Sequence, residues 1–369
     1  MHILHVVGAR PNFMKAAPVL RALAALKATK QTLVHTGQHY DANMSGVFFE
    51  QLGMPQPDIN LEVGSGSHSR QTAEVLTRFE PVVREQRPDL VLVYGDVNST
   101  VAAALVCAKL LIPLGHVEAG LRSRDRTMPE EINRIVTDQL ADLLFTPSSD
   151  GNENLLREGV PAEKIHLVGN VMIDTLVRLL PVSQERWPAL RASLNLLEHG
   201  KKGSGYALVT LHRPSNVDAP ASLQRIMDAL RSLADRLSIV FPVHPRTRQR
   251  LSELRLDAPH PSLRLIEPVG YLDFLALQGH ATLVLTDSGG VQEETTFLGV
   301  PCLTLRENTE RPITVEQGTN MLVGQDMELL AKEARRILQE GPRPGRIPPL
   351  WDGKASERIA EVIAERGTA

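Results

Sequence analysis

Short runs of valine, leucine and isoleucine alternate along the chain with longer stretches whose apolar residues recur at helical spacing. In the first half the runs that read as strands are His2–Val7, Thr32–His35, Leu90–Tyr94, Leu114–Val117, Leu143–Thr146 and Ile165–Val168. In the second half they are Tyr206–Thr210, Ser238–Pro242, Leu263–Ile266, Thr282–Thr286, Pro301–Leu305 and Asn320–Val323. Between them the spacing predicts helices such as Ala16–Leu26, Arg70–Gln86, Val101–Leu111, Glu130–Ala141, Ala221–Leu233 and Met327–Gln339. Strands alternating with helices imply βαβ units and parallel sheets. Near-continuous apolar strands, such as Leu90 to Val93, fit sheets covered on both faces.

The second half repeats the architecture of the first, with a change of texture between them. Gly169 to Asp174 closes the first set; a poorly patterned helical stretch with Trp187-Pro188 follows, then the polar run His199–Gly205. The expectation is an α/β protein with two Rossmann-like domains facing a cleft. The first domain would cover residues 1–170 and the second 171–354, with the terminal helix in 355–369 packing back on the first. Strand carboxyl ends would line the cleft, where open α/β sheets bind ligands.

Composition narrows the partners. Hydrophobic residues make up 42%, charged residues 22%, and the net charge is −3, so no global basic field draws nucleic acid or anionic membrane. The longest apolar stretch, Val101 to Leu114, contains Lys109 and is too short to span a bilayer. Cys107 and Cys302 lie far apart in apolar surroundings and read as buried small residues of a reducing compartment. The start, Met-His-Ile-Leu-His-Val-Val-Gly, reads as a strand and not as a signal peptide, so the expected location is cytoplasmic.

Candidate chemistry concentrates at Thr286 to Glu294. An apolar run ends in Asp287-Ser288, two glycines follow, and a helix-prone segment begins. Backbone N–H groups at Ser288, Gly289 and Gly290 with the helix dipole behind them make an anion site, most naturally for phosphate. Glu294 stands one turn above on the same face and can accept hydrogen bonds from ribose hydroxyls. Together these suggest a nucleotide. The first strand ends in Gly8-Ala9-Arg10-Pro11, with Lys15 one turn on: a planar donor fork and a point charge suited to phosphate. The dinucleotide fingerprint is absent.

Asp96, Glu118 and the Glu130-Glu131 pair follow at strand ends or a helix start, and several acids at one place suit acid–base work at carbon. Asp96 and the Glu130-Glu131 pair have plainer readings, an N-cap or Asx turn for the first and helix-start acids for the second, whereas Glu118 has no obvious capping role. Strand Tyr206–Thr210 runs into Leu211-His212-Arg213-Pro214, where His212 can bond a leaving phosphate or move a proton. Phe274 could edge a flat base or simply pack in the core. Arg311 is a cationic loop residue. His35 and His39 have a metal-like spacing without a third ligand nearby, so no metal and no cofactor are expected.

These segments together resemble one family, the non-hydrolysing UDP-N-acetylglucosamine 2-epimerases. The matching stretches are Gly8 to Pro11 with Lys15, Gly95-Asp96, Gly115 to Arg122, Pro129 to Arg134, Thr210 to Arg213, Thr286 to Glu294, and Thr309 to Pro312. The resemblance implies a glycosyltransferase-B-like fold. It places Arg10, His212, Ser288, Gly289 and Gly290 on the diphosphate, Glu294 on the ribose and Phe274 near the uracil. Lys15, Asp96, Glu118, Glu130 and Arg311 would line the sugar. The implied catalytic group is Asp96, Glu118, Glu130 and His212. The implied partners are a UDP-sugar and a second copy of the chain, with no nucleic acid and no membrane. The implied reaction is C2–H abstraction with anti elimination of UDP to a 2-acetamidoglucal, then re-addition. The text at Gln38 to Met44 and the short loop from Arg122 to Pro129 depart from well-known bacterial members, in a way that resembles the branch that includes archaeal enzymes and epimerases of modified UDP-sugars such as UDP-2,3-diacetamido-glucuronate. A glycosyltransferase of the same fold and a non-catalytic nucleotide-sugar sensor are the competing classes.

Overall fold

The computed structural model describes residues 1–26, 29–37, 49–196 and 205–367. His39, the Gln38 to Met44 departure and all but the last residue of the His199–Gly205 run lie outside the described residues. The chain forms two compact units, Met1–Thr175 with Pro349–Ala369, and Leu176–Pro348.

The first unit holds seven strands: β1 (His2–Val7), β2 (Lys30–His35), β3 (Ile59–Asn60), β4 (Leu90–Tyr94), β5 (Leu114–Val117), β6 (Leu143–Thr146) and β7 (Ile165–Leu167). Their order is β3-β2-β1-β4-β5-β6-β7, every pairing parallel. All five residues of β4 are fully buried, as a strand with helices on both faces requires. Helix His68–Gln86 shows the local logic. The Ser67 side chain caps its start by accepting from the Arg70 N–H, and Arg87 ends it in the left-handed conformation. Val75, Phe79 and Val83 recur every four residues, so one stripe is buried in the core beside β4. Burying each contributes about 1.5–3 kcal/mol.

The chain returns to this unit at its end. Helix Ala355–Gly367 packs against helix Arg10–Ala24. Asp174 accepts from the N–H groups of Ala355 (3.1 Å) and Ser356 (2.7 Å), and so caps the returning helix. The Trp351 indole, almost fully buried, donates to the Pro147 carbonyl at 2.9 Å.

The second unit is a six-stranded parallel sheet of β8 (Tyr206–Thr210), β9 (Ser238–Pro242), β10 (Leu263–Ile266), β11 (Leu283–Thr286), β12 (Cys302–Thr304) and β13 (Asn320–Leu322). Its order is β10-β9-β8-β11-β12-β13. In each unit the strand order reverses beside the first strand, between β1 and β4 and between β8 and β11. These are the topological switch points at which doubly wound sheets bind ligands. Both cysteines are buried and free. Among the described residues no helix is long and apolar enough to cross a membrane.

Among the elements that the sequence reading leaves unnamed, two are hidden for physical reasons. β3 is only two residues long and shows no period. Helix Tyr271–His280 buries Leu272, Leu275, Ala276, Leu277 and Gln278, so its apolar surface is too broad to register as a stripe.

Candidate active site

In the first unit the switch point is held together by Asn12. Its Oδ1 accepts from the N–H groups of Gly8 (3.0 Å) and Ala9 (3.1 Å), and its Nδ2 donates to the Tyr94 carbonyl at 2.6 Å. The end of β1 is thereby stitched to the end of β4. The Gly8 and Ala9 N–H groups are thus consumed internally. Sequence reading gave Asn12 no role, although an amide at the third helical position after a turn is a capping signal.

Lys15 and Glu118 are both buried and form an ion pair over Gly95. The approach needs the glycine: a Cβ at Gly95 would lie 2.7 Å from the Lys15 Nζ. Glu118 leaves β5 in the left-handed region, φ 74, which a carboxylate side chain adopts only when its surroundings hold it. Asp96, half-buried, pairs with the Arg134 guanidinium, and its carbonyl accepts from Asn133 Nδ2 at 2.8 Å. Both partners come from helix Pro129–Leu140, which also carries Glu130 in its first turn. Glu130 is half-buried and makes no ion pair with a described residue.

Glu131 is different. Burial pushes its carboxyl up, but Arg134 and the backbone N–H groups of Ser123 and Arg124 outweigh this and hold it below the usual carboxylate range. It accepts from those N–H groups at 2.9 and 2.8 Å, so it fixes the loop ahead of its helix.

In the second unit, Asp287 follows β11 directly and is fully buried. It accepts from the His212 and Arg213 N–H groups, from Asn216 Nδ2 at 3.0 Å, and from the His212 ring, Nδ1 lying 2.9 Å from Oδ1. Burial pushes this carboxyl up; the His212 ring, Asn216 and the backbone donors hold it below its ordinary value. A carboxylate on Nδ1 fixes the tautomer and leaves Nε2 pointing away from Asp287. His212 itself is half exposed.

Helix Gly289–Leu298 begins on the glycines themselves. Ser288 sits at its N-cap and its side chain does not cap it, so the first-turn N–H groups are not consumed by the cap hydroxyl. Arg311 lies against this end: a Cβ on Gly289 would meet its Nη1 at 2.4 Å. Arg311 is buried and bonded to Glu293 (2.8 Å) and Glu310 (2.5 Å), and Glu310 also holds Arg306 at 2.7 Å. Five residues into this helix, Glu294 is buried and accepts from the Tyr271 hydroxyl at 2.8 Å. Burial above all, with the neighbouring Glu293 adding to it, pushes its carboxyl up to about 7, against the opposing hydrogen bonds of Tyr271 and Gln278. Phe274 is half-buried against the core of this unit.

Thus Lys15, Asp96 and Glu118 cluster at the switch point of the first unit, with Arg10 and Glu130 on the helices that flank it. His212, Ser288, Gly289, Gly290 and Arg311 cluster at that of the second, with Glu294 on the same helix as the glycines. Sequence reasoning missed Asn12, Arg134, Asp287, Glu293 and Glu310, which hold these groups in place. Among the described residues no three His, Cys, Asp or Glu side chains are grouped as a metal site.

The arrangement has known relatives. The sequence model described as UDP-N-acetylglucosamine 2-epimerase matches residues 21–364. A Methanocaldococcus jannaschii protein named UDP-N-acetylglucosamine 2-epimerase is 43% identical, over 98% of this chain and 99% of its own length. A Pseudomonas aeruginosa protein named UDP-2,3-diacetamido-2,3-dideoxy-D-glucuronate 2-epimerase is also 43% identical, over 99% of this chain and all of its own. The crystal structure of the M. jannaschii enzyme in complex with UDP-GlcNAc and UDP superposes with a TM-score of 0.88 at 44% identity, covering 99% of this chain and 100% of that one. This chain belongs to the UDP-N-acetylglucosamine 2-epimerase family.

Proposed function

We propose that the chain interconverts UDP-N-acetylglucosamine and UDP-N-acetylmannosamine by reversible epimerisation at C2. A carboxylate takes the C2 proton, the C–H electrons form the C1–C2 double bond, and the C1–O bond breaks to release UDP. Return of a proton to the opposite face of C2 and re-addition of UDP complete the inversion. The C2–H beside an acetamido nitrogen is only weakly acidic, so a placed base and a stabilised leaving diphosphate are both needed.

The observation that carries this reading is the set of acids at the first switch point. Asp96 and Glu118, each paired with a cation, follow adjacent strands, and Glu130 stands on the helix that supplies the partner of Asp96. Asp96, Glu118 and Glu130 serve C2. Arg10, Ser288, Gly289 and Gly290 bind the diphosphate, and His212 stabilises it as it leaves. Glu294 holds the ribose and Phe274 the uracil, with Lys15 and Arg311 on the sugar side. The working form is a homodimer. The 43% identity to the P. aeruginosa protein supports a second substrate reading, a UDP-2,3-diacetamido uronate handled at the same C2.

The test is incubation with each UDP-sugar in deuterated water, followed at C2 by NMR. Solvent deuterium at C2 with the manno product from UDP-GlcNAc supports the first reading; exchange only in the diacetamido sugar replaces it with the second. Transfer of the sugar to an added acceptor without C2 exchange would refute both.

Glu294 gives a prediction with a sign. The ionised carboxylate is the stronger acceptor for ribose hydroxyls, so UDP affinity should fall as pH drops through about 7. Glu294→Gln should remove that part of the dependence, and the difference between the two calorimetric titrations separates Glu294 from the ligand phosphate. In the free protein the linkage runs the other way. The folded carboxyl is raised, so its contribution to stability is full below its ordinary 4.5 and is lost as pH rises through about 7.

A further inference from the structure

His116, in the middle of β5, has no exposure to solvent. Its Nε2 lies 2.8 Å from the Gly95 carbonyl oxygen, and its Nδ1 lies 2.6 Å from Asp138 Oδ1. A carbonyl oxygen only accepts, and so does an ionised carboxylate. Asp138 is held ionised: its other oxygen takes the Arg122 guanidinium at 2.7 Å and the Gly120 N–H at 3.1 Å. Burial pushes the Asp138 carboxyl up, but His116 and Arg122 keep it below its ordinary value. Both ring nitrogens of His116 therefore face acceptors, and both must donate.

The two ends of this assembly hold the two backbone segments that carry candidate catalytic acids. Gly95, at φ 62, precedes Asp96, and Gly120, at φ 81, follows Glu118 by two residues. Gly95 also lies beneath the Lys15–Glu118 pair. Neither left-handed segment belongs to a regular element; the Gly95 N–H bonds the Val117 carbonyl at 3.0 Å, and the His116–Asp138 pair adds a side-chain link from the Gly95 carbonyl to the Gly120 N–H.

We propose that His116, acting with Asp138, is a positioning residue that sets the backbone geometry of Asp96 and Glu118 by donating from both ring nitrogens at once. The proposal rests on the reading that those acids act at C2. His116→Gln keeps an amide donor for Gly95, and His116→Ala keeps none. The expected result is kcat lowered about 100-fold in His116→Ala and by less in His116→Gln, because small displacements of reacting groups are that costly. KM and UDP affinity should stay near those of the parent protein. A folded alanine variant with full kcat, or one that loses UDP binding together with kcat, overturns the proposal. If the variants do not fold, the imidazole nitrogen spectrum of the parent protein decides: two N–H correlations for His116 support the assignment, and one overturns it. That spectrum needs no substrate. A parent protein that exchanges C2 of no UDP-sugar tested would sink the proposed reaction and leave the ring measurement standing on its own.

Discussion

In a Glu118→Gln variant, C2 deuterium exchange should fall by a factor on the order of 10²–10⁴, the range set by loss of a general acid or base. The amide matches the carboxylate in shape but cannot take the C2 proton. UDP should still bind, since the phosphate donors proposed at Ser288 to Gly290 belong to the other compact unit. A second effect comes with the first. Glu118 balances the buried Lys15, and removing one partner of a buried pair costs about 3–5 kcal/mol. The variant should therefore melt earlier. Combining Lys15→Met with Glu118→Gln should recover much of the melting temperature and none of the exchange. Normal exchange in a folded Glu118→Gln protein would remove Glu118 from the mechanism.

The sheet strands were largely legible because they are short apolar runs between turn residues, and both units show them where the pattern places them. The helix at Gly289 was legible for a local reason: a strand ending in Asp-Ser-Gly-Gly allows little else. What the sequence hides is pairing across distance. Lys15 and Glu118 are 103 positions apart in the chain, and His212 and Asp287 are 75 apart. Nothing local says that the Lys15 ammonium is spent on Glu118, or that Asp287 turns the His212 ring. The same holds for Glu131, whose plain reading as a helix-start acid missed the backbone donors of Ser123 and Arg124. Motif resemblance named the groups proposed to meet substrate; the residues that pair with those groups became visible only in three dimensions. That division follows from the physics, because a site residue is marked by its chemistry, whereas a supporting residue is marked by its neighbours.

Gly120→Ala should be among the most damaging single methyl additions near the site. Gly120 has φ 81, and a Cβ there would lie 2.5 Å from the Gly151 carbonyl oxygen and 2.8 Å from its Cα. Those neighbours are backbone atoms of helix Ser149–Arg157, so no side chain can rotate out of the way. The left-handed backbone costs a non-glycine residue about 1–2 kcal/mol. Forcing a methyl into closed packing adds about 1–3 kcal/mol. The sum, about 2–5 kcal/mol, is a large fraction of the stability of an ordinary domain. Relief by moving the loop would drag Glu118 with it and break the Gly120 N–H bond to Asp138, so kcat should fall along with the melting temperature. Gly159→Ala is the matched control. It has the same φ of 81, but a Cβ there has nothing within 4 Å. It should show only the backbone term and leave C2 exchange untouched. Equal melting shifts for the two variants would mean that contact with Gly151 does not set the path of the Glu118 loop.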